Sequence, residues 1–377
     1  MKKKVAIIGS GIAGLTLAGL LKTNSNFEFA VYEKAETLNL DESFGIQLSV
    51  NSVFILNKIG FDQLNKNERC HPSNLDFYSI NYKKICDLDL TTFNSTSEKY
   101  TTLKRSILVK FLKENLLPNS IIFSKKIKYI EKIGEKINIY FTDGSCDEAD
   151  YLVVSDGVFS KTKSIIENKI LRPINYGATA IRTQIKTKDI SNFNSNNVSI
   201  IMGSKAHLVL YPINQRKELN LVCLIKKKSK INEDIITTLE NTIFRENKNL
   251  ANLFKGDVKS WPIYKSSEPV KSTYTNVLYI GDAFYTFLPT MAQGASQAIE
   301  AAHEIFILIR DNHTDIQTVY FKNRAERTSL INKRSKFNYF SFHISNPVLK
   351  ILRNKILKIL VKNKNFINSY LGKVYKY

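Results

Sequence analysis

Apolar residues change their period several times along this chain, and each change marks an element. Residues 4–8 (Lys-Val-Ala-Ile-Ile) form a short run of the buried-strand kind. A glycine-rich turn follows, and helix-compatible sequence then continues to about Lys22. Residues 27–33 (Phe-Glu-Phe-Ala-Val-Tyr-Glu) predict a second strand, so β-α-β fits within about thirty residues. Residues 51–60 predict another helix, and alternating patterns recur at 75–80, 85–90, 121–130, 137–141 and 150–154. The stretch 171–226 is mostly strand-like, most clearly at 207–211 and 219–225. Helical periodicity returns at 232–254, at 293–309 and from 315 to the end. No internal repeat and no Gly/Ser linker divides the chain. Middle-region strands between two α/β portions predict a mostly antiparallel sheet domain inserted in a discontinuous α/β domain.

The turn after the first strand reads Gly9-Ser10-Gly11-Ile12-Ala13-Gly14, which fits G-x-G-x-x-G. Gly9 permits the tight turn, Gly11 lets the backbone approach a pyrophosphate, and Gly14 lets helix and strand pack closely. The helix N-terminus offers unpaired N–H groups and a positive dipole end. Glu33 ends the second strand, where a carboxylate accepts hydrogen bonds from ribose hydroxyls, and Lys34 follows it. The expected fold is therefore α/β with an α+β substrate domain: a Rossmann-like dinucleotide-binding domain from 1–70, 100–170 and 270–320, a substrate domain from 71–99 and 171–269, and a C-terminal helical segment from 321–377. No second G-x-G-x-x-G occurs, and the glycines alone do not separate FAD from NAD.

Composition changes this picture little. The 377 residues are 43% hydrophobic, with 8 Pro and 15 Gly, which points to a globular chain. Against 34 Asp+Glu stand 55 Lys+Arg, giving +21. Lys, Asn and Ile are abundant together, so the surplus reads as compositional drift. With lysines scattered and no zinc-finger or RNA-recognition motif, no nucleic-acid partner is expected. Cys70, Cys86, Cys146 and Cys223 are widely spaced, without C-x-x-C or a nearby His, so reduced cytoplasmic thiols are expected rather than a metal site. Lys2-Lys3-Lys4 and the apolar run to Leu21 imitate a signal peptide, but glycines at motif spacing interrupt it, and it reads as mature structure.

Two later segments point to the cofactor. Residues 150–160 read Asp-Tyr-Leu-Val-Val-Ser-Asp-Gly-Val-Phe-Ser, and 276–302 read NVLYIGDAFYTFLPTMAQGASQAIEAA. With the N-terminal glycines, and with 45–60, Arg105–Leu108 and His207–Pro212, these resemble the flavoprotein aromatic hydroxylases, the family of para-hydroxybenzoate and salicylate hydroxylases. The resemblance implies FAD, with Asp156 and Gly157 near the pyrophosphate and the nicotinamide path, and Arg105 contacting FAD. On its own chemistry, Asp282 beside Gly281 at a strand end could accept a bond from a ribityl hydroxyl. After Pro289, Gln293-Gly294-Ala295 opens a helix whose N–H groups could face the flavin, where positive helix-end potential favours reduced anionic flavin.

In that family reduced nicotinamide passes hydride to FAD, O₂ adds at flavin C4a, and the hydroperoxide hydroxylates an electron-rich ring. NAD(P)H is then a transient co-substrate. A phenol reacts best as phenolate, so a base or relay is useful. His207 and Tyr211 share one strand face, and Gln47 beside the Gly45 turn is a third candidate; a satisfied sheet histidine and a packing tyrosine are the plainer readings. Relatives carry Ala-His where this chain has Phe284-Tyr285, and Val154-Ser155, Lys163 and Ala301 are further departures. The A-Q-G-A stretch at 292–295 favours a small aromatic acid or N-heteroaromatic ring, with Arg182 available for a carboxylate. The alternatives are a polyprenyl-phenol hydroxylase of a quinone pathway at the membrane surface, and a flavin-binding protein without hydroxylase activity. From Pro347 a basic amphipathic helix, with Leu349, Leu352, Ile356 and Ile359/Leu360 on one stripe, is expected to pack that stripe on the parent domain, although such a helix also suits an anionic membrane.

Overall fold

The computed structural model describes residues 2–38, 40, 44–190, 192–226 and 234–375. Four sheets organise it. The first is parallel, in the order β17 (Val277–Tyr279), β11 (Tyr151–Val154), β1 (Lys3–Ile8), β2 (Phe27–Tyr32), β7 (Ile121–Ile122). Val5–Ile8 of β1 and Leu152–Val154 of β11 are apolar and buried because both faces are covered there. Helices α1 (Ile12–Lys22) and α6 (Gly294–Arg310) pack into its core. So do Ile127, Ile137, Ile139 and Phe141 of an antiparallel layer of β8 (Ile127–Ile133), β9 (Lys136–Phe141) and β10 (Cys146–Ala149). Short α4 (Lys161–Ile166) follows β11.

The largest sheet has seven strands, in the order β16 (Lys259–Lys265), β12 (Ile174–Lys186), β15 (Glu218–Ile225), β14 (Ala206–Ile213), β13 (Val198–Met202), β4 (Asn74–Ser79), β5 (Lys84–Asp89). Only the β13–β4 pair is parallel. A two-stranded ribbon of β3 (Gly45–Leu48) and β6 (Thr101–Lys104) lies between the two large sheets: Thr102 Oγ1 donates to Pro212 O at 2.5 Å and Gly45 N–H donates to Asn220 Oδ1 at 2.6 Å, while Leu48 and Leu103 enter the core of the parallel sheet.

Several expectations need correction. Gly45 opens a strand rather than a turn, and its need for glycine is steric: a Cβ there would lie 2.6 Å from the Tyr211 ring and 2.8 Å from Asn220. Helix α2 (Val50–Asn57) is where its periodicity predicts, whereas α3 (Arg105–Glu114), with Leu108, Val109 and Leu112 inward, lay unread in the sequence. The helix predicted over 232–254 has residues 232–233 outside the described residues. The rest breaks into α5 (Ile235–Leu239), a π turn and a 3₁₀ stretch. Its side chains are committed to other partners: Glu246 accepts from Ser204 N–H and Lys205 N–H, and Asn247 donates to Ile80 O while capping Asn249 N–H. Helix α7 (Ile316–Phe342) leads into α8 (Pro347–Leu360), whose apolar stripe is exposed instead of packed. The four cysteines are free.

A buried ionic knot fastens α2, α6 and α7. Glu300, 1% exposed at its side chain, pairs with Arg324 at 3.2 Å and Arg327 at 2.6 Å, and accepts from Asn51 Nδ2. Arg324 also donates to Gln297 Oε1 at 2.6 Å. Burial works most strongly against the Arg324 charge, but Glu300, Tyr320 and Glu304 together outweigh it and raise its pKa. Glu300→Leu leaves buried Arg324 only the more distant Glu304, 3.6 Å away, so unfolding free energy should fall by about 3 kcal/mol in urea titration of flavin-free protein. Adding Arg324→Met should recover most of the loss. A single-variant loss below about 1 kcal/mol would show that the knot contributes little.

Candidate active site

Parallel pairing brings three distant loops to one edge, at the carboxyl ends of neighbouring strands. Gly9 follows β1, Ser155-Asp156-Gly157 follows β11, and Gly281-Asp282 follows β17. Ser155 N–H donates to Ile8 O at 2.7 Å, and Ile280 N–H donates to Val154 O at 2.9 Å. The Ser155 departure has a local use, since its hydroxyl bonds the carbonyls of Ile8 and Gly9 at 2.8 and 2.9 Å. Lys163, also a departure, is buried and donates to Ala283 O at 2.7 Å. Burial lowers its pKa against the pull of Asp156 and Glu167.

The glycines fall into two groups. A Cβ at Gly9 would meet Ser155 O at 2.8 Å, and one at Gly14 would meet Gly9 O at 2.2 Å; these two permit protein packing. A Cβ at Gly11, Gly157 or Gly294 would meet nothing within 4 Å. Those three border open space.

At Gly11 and Gly157 that space is a cleft of about 280 Å³, lined also by Gly9, Glu33, Lys34 and Asp156. Glu33 Oε2 accepts from Ser10 N–H at 2.9 Å and Ser10 Oγ at 2.7 Å, and Oε1 accepts from Ala35 N–H at 3.0 Å. Burial pushes this carboxyl up, but those bonds outweigh it and hold its pKa below the ordinary value. Asp156 Oδ1 is buried without a partner among the described residues. Helices α1 and α6, which begin at Ile12-Ala13 and at Gly294-Ala295, have no side-chain cap and no acid in the first turn. Ala13 also touches the next loop, since a Cβ on Gly281 would lie 3.1 Å from its own. An orphaned carboxylate oxygen, two uncapped helix ends and open glycine positions fit an extended dinucleotide.

Asp282 is exposed, yet surrounding protein pushes its pKa up to about 6 against the pull of Arg105, which opens α3. Asp282 borders a small cavity of about 30 Å³ together with Gly281, Phe284 and Gly294. Pro289 starts a 3₁₀ turn before α6. Gln293 points elsewhere: its buried amide donates to Ser49 Oγ at 3.2 Å and accepts from Gln297 Nε2 at 3.2 Å, so only its backbone faces the helix start.

The three residues proposed for chemistry separate. Gln47 accepts from Tyr100 OH at 2.7 Å, and Tyr211 lies against Gly45 two residues away. Tyr211 stays protonated, because burial raises its pKa further than Arg182 and Asn220 lower it. His207 sits four residues back, about 13 Å along the strand. It is buried, with Nδ1 2.9 Å from Nε2 of His343. Burial and His343 hold its pKa well below the ordinary value, so it is a neutral sheet histidine. Arg182, across β15 from Val209, faces the same side as Tyr211 and stands 5.6 Å from the Trp261 ring centroid.

Two measurements test this geometry. Gly11→Val should leave the thermal melting of flavin-free protein unchanged but abolish flavin retention, read as absorbance after gel filtration, whereas Gly14→Val should lower the melting temperature itself. Asp282 binds its proton more tightly folded than unfolded. Its contribution to stability is present below pH about 4, where both states are protonated, and is lost as pH rises through about 6. Asp282→Asn should flatten the stability–pH curve of flavin-free protein over that window; an unchanged curve would place the carboxyl in ordinary solvent.

Comparison with known proteins agrees with the cleft. The chain is 23% identical over 359 residues to 3-amino-4-hydroxybenzoate 2-monooxygenase of Streptomyces cremeus, covering 90% of this chain and 88% of the relative. It is 24% identical over 374 residues to 6-hydroxynicotinate 3-monooxygenase of Bordetella bronchiseptica, covering 92% and 94%. The structure of Klebsiella pneumoniae HpxO complexed with FAD and uric acid superposes with a TM-score of 0.84 at 18% identity, over 99% of this chain and 96% of that one. Residues 2–311 match the FAD binding domain family. The chain belongs to that family, and its relatives place it among the FAD-dependent aromatic hydroxylases.

Proposed function

We propose that this FAD-dependent monooxygenase hydroxylates a small aromatic acid or N-heteroaromatic ring, with NAD(P)H as reductant. The observation that carries the reading is the inner face of the seven-stranded sheet. Arg182 stands there beside Trp261, with its Nε buried and unbonded among the described residues, on the same side as Tyr211 and Asn220. A planar guanidinium on an apolar wall suits a carboxylate or a ring carbonyl bidentately. The aminohydroxybenzoate and hydroxynicotinate named for the two relatives are aromatic acids of that size.

Gly9, Gly11, Ile12, Ala13 and Gly14, with Asp156, Gly157, Gly281 and the starts of α1 and α6, would hold the dinucleotide. Glu33 would take the ribose hydroxyls, with Lys34 beside it, and Asp282 and Arg105 would stand beyond. The chemistry supplied by bound FAD is the passage of two electrons from nicotinamide to O₂, with one oxygen atom going to the ring and the other to water. The chain's own part is positional. Arg182 fixes the acid end of the substrate. Tyr211, kept protonated, has its O–H to donate, and Gly45 lets the β3 backbone lie directly on Tyr211. His207, further along the same face, joins the sheet to the end of α7 through His343. No second dinucleotide fingerprint is present, so the nicotinamide would visit the open cleft.

Stopped-flow reduction by NADH and NADPH across a panel of hydroxybenzoates, hydroxypyridines and lipid-tailed phenols tests the proposal. Acidic rings should accelerate reduction. Arg182→Met should raise their KM by about tenfold to a hundredfold, the worth of one charge-assisted contact, with a smaller effect on uncharged rings. Flavin that no nicotinamide reduces, or stimulation by lipid-tailed phenols alone, would overturn it.

A further inference from the structure

Helix α8 turns its apolar side to solvent. Val348, Ile351 and Ile359 are 72%, 60% and 67% exposed, and Leu349, Leu352 and Ile356 are exposed with them. At about 100° per residue, Val348, Ile359, Leu352, Ile356 and Leu349 fall within one arc. Lys355, Lys358 and Lys362 border it. The opposite side is docked. Buried Arg353 donates to Ser341 O at 3.0 Å, Lys350 donates to Ser204 Oγ at 2.8 Å, and Leu357 and Val361 pack against the core. Asn346 caps the helix start, accepting from Val348 N–H at 2.9 Å and Leu349 N–H at 3.1 Å. These anchors fix the helix so that the stripe faces out. Phe337 and Phe340, 56% and 65% exposed, stand on the last turns of α7, next to the Ser341 carbonyl that receives Arg353.

Charge says what this face suits. From Arg327 to Tyr377 the sequence has twelve lysines and arginines and no aspartate or glutamate. A second copy of the chain would bring the same positive charge to a shared contact, with no acid to meet it. An anionic bilayer supplies negative headgroups for the lysines and acyl chains for the stripe. No helix among the described residues is long and apolar enough to cross a membrane, so this one would lie in the interface plane.

We propose that the outward stripe of α8, with Phe337 and Phe340, docks on the surface of an anionic phospholipid bilayer. The proposal stands on this surface alone and is independent of which ring the enzyme hydroxylates.

Flavin-loaded full-length protein is sedimented with vesicles of equal parts phosphatidylcholine and phosphatidylglycerol, and with vesicles of phosphatidylcholine alone. Binding to the anionic vesicles should exceed binding to the neutral ones by about tenfold or more and should fall as salt rises. Leu352→Asp with Ile356→Asp, both at exposed positions, should cut partitioning by about tenfold or more while flavin content stays unchanged. Lys355→Gln, Lys358→Gln and Lys362→Gln together should remove most of the preference for anionic lipid. Failure to bind anionic vesicles, equal binding to both compositions, or binding that survives the double aspartate variant would each overturn the proposal. A concentration-dependent dimer abolished by that variant, without vesicle binding, would make the occupant a second copy and overturn it as well.

Discussion

The parallel pairing of β1 with β11, and of β11 with β17, is the constraint on which the rest depends. It requires the chain to return twice, in the same direction, to the edge where Gly9 turns. Residues near 9, 156 and 282 then share one mouth although well over a hundred residues separate each from the next. Crowding at that mouth explains Gly9 and Gly14, which any side chain would drive into neighbouring backbone or the Ser155 hydroxyl. Gly11, Gly157 and Gly294 have no such neighbour. Their open Cβ directions, the orphaned Asp156 oxygen and the uncapped helix starts mark where protein stops and cofactor would begin. The same three-letter residue thus has two physical reasons within one motif.

What the sequence made legible follows from range. The strands at 3–8 and 27–32, the helix between them and the helix from 294 each carry a period long enough to read without a partner. β3, β6 and α3 do not, because their burial comes from residues far away in the chain. Gly45 is required by Tyr211 and Asn220, and no local pattern announces that. Gln293 shows the same limit within a correctly read motif: its place before α6 was visible, but its amide goes to Ser49, 244 residues away. His207 and Tyr211 do share a face as their spacing implied. That face is long, and only its Tyr211 end reaches Gly45.

The C-terminal region was misread for a different reason. A stripe at helical spacing describes equally a helix packed on a core and one lying at an interface. What decides is the side that carries the anchors, and α8 is held by Arg353, Lys350, Leu357 and Val361, all off the stripe. The net charge of the whole chain concealed a second fact. Lysines are scattered throughout, but the acids that offset them stop at Glu326. Averaged over 377 residues, that asymmetry looks like drift.

Helix α7 explains how the departures from the hydroxylase pattern coexist with an intact cleft. Near its start Tyr320 donates to Tyr279 O at 2.8 Å, behind the strand that ends in Gly281-Asp282. Phe284 packs on Tyr320 and Phe321, with ring centroids 5.9 and 6.0 Å away. Tyr285 receives a bond from Asn332 at 2.9 Å, Ser335 O accepts from Thr290 at 2.6 Å, and Asn338 donates to Thr290 O at 3.1 Å. The loop from Gly281 to Met291 is thereby bound to α7 from Tyr320 to Asn338, about five turns of helix, and Phe284 and Tyr285 pack on that helix while also lining the small cavity beside Asp282. Further along, Tyr339 meets Tyr176 and His343 meets His207, so the same helix braces the sheet that carries Arg182 and Tyr211. Phe284 and Tyr285 therefore tie the Gly281–Met291 loop to the same helix that braces the seven-stranded sheet.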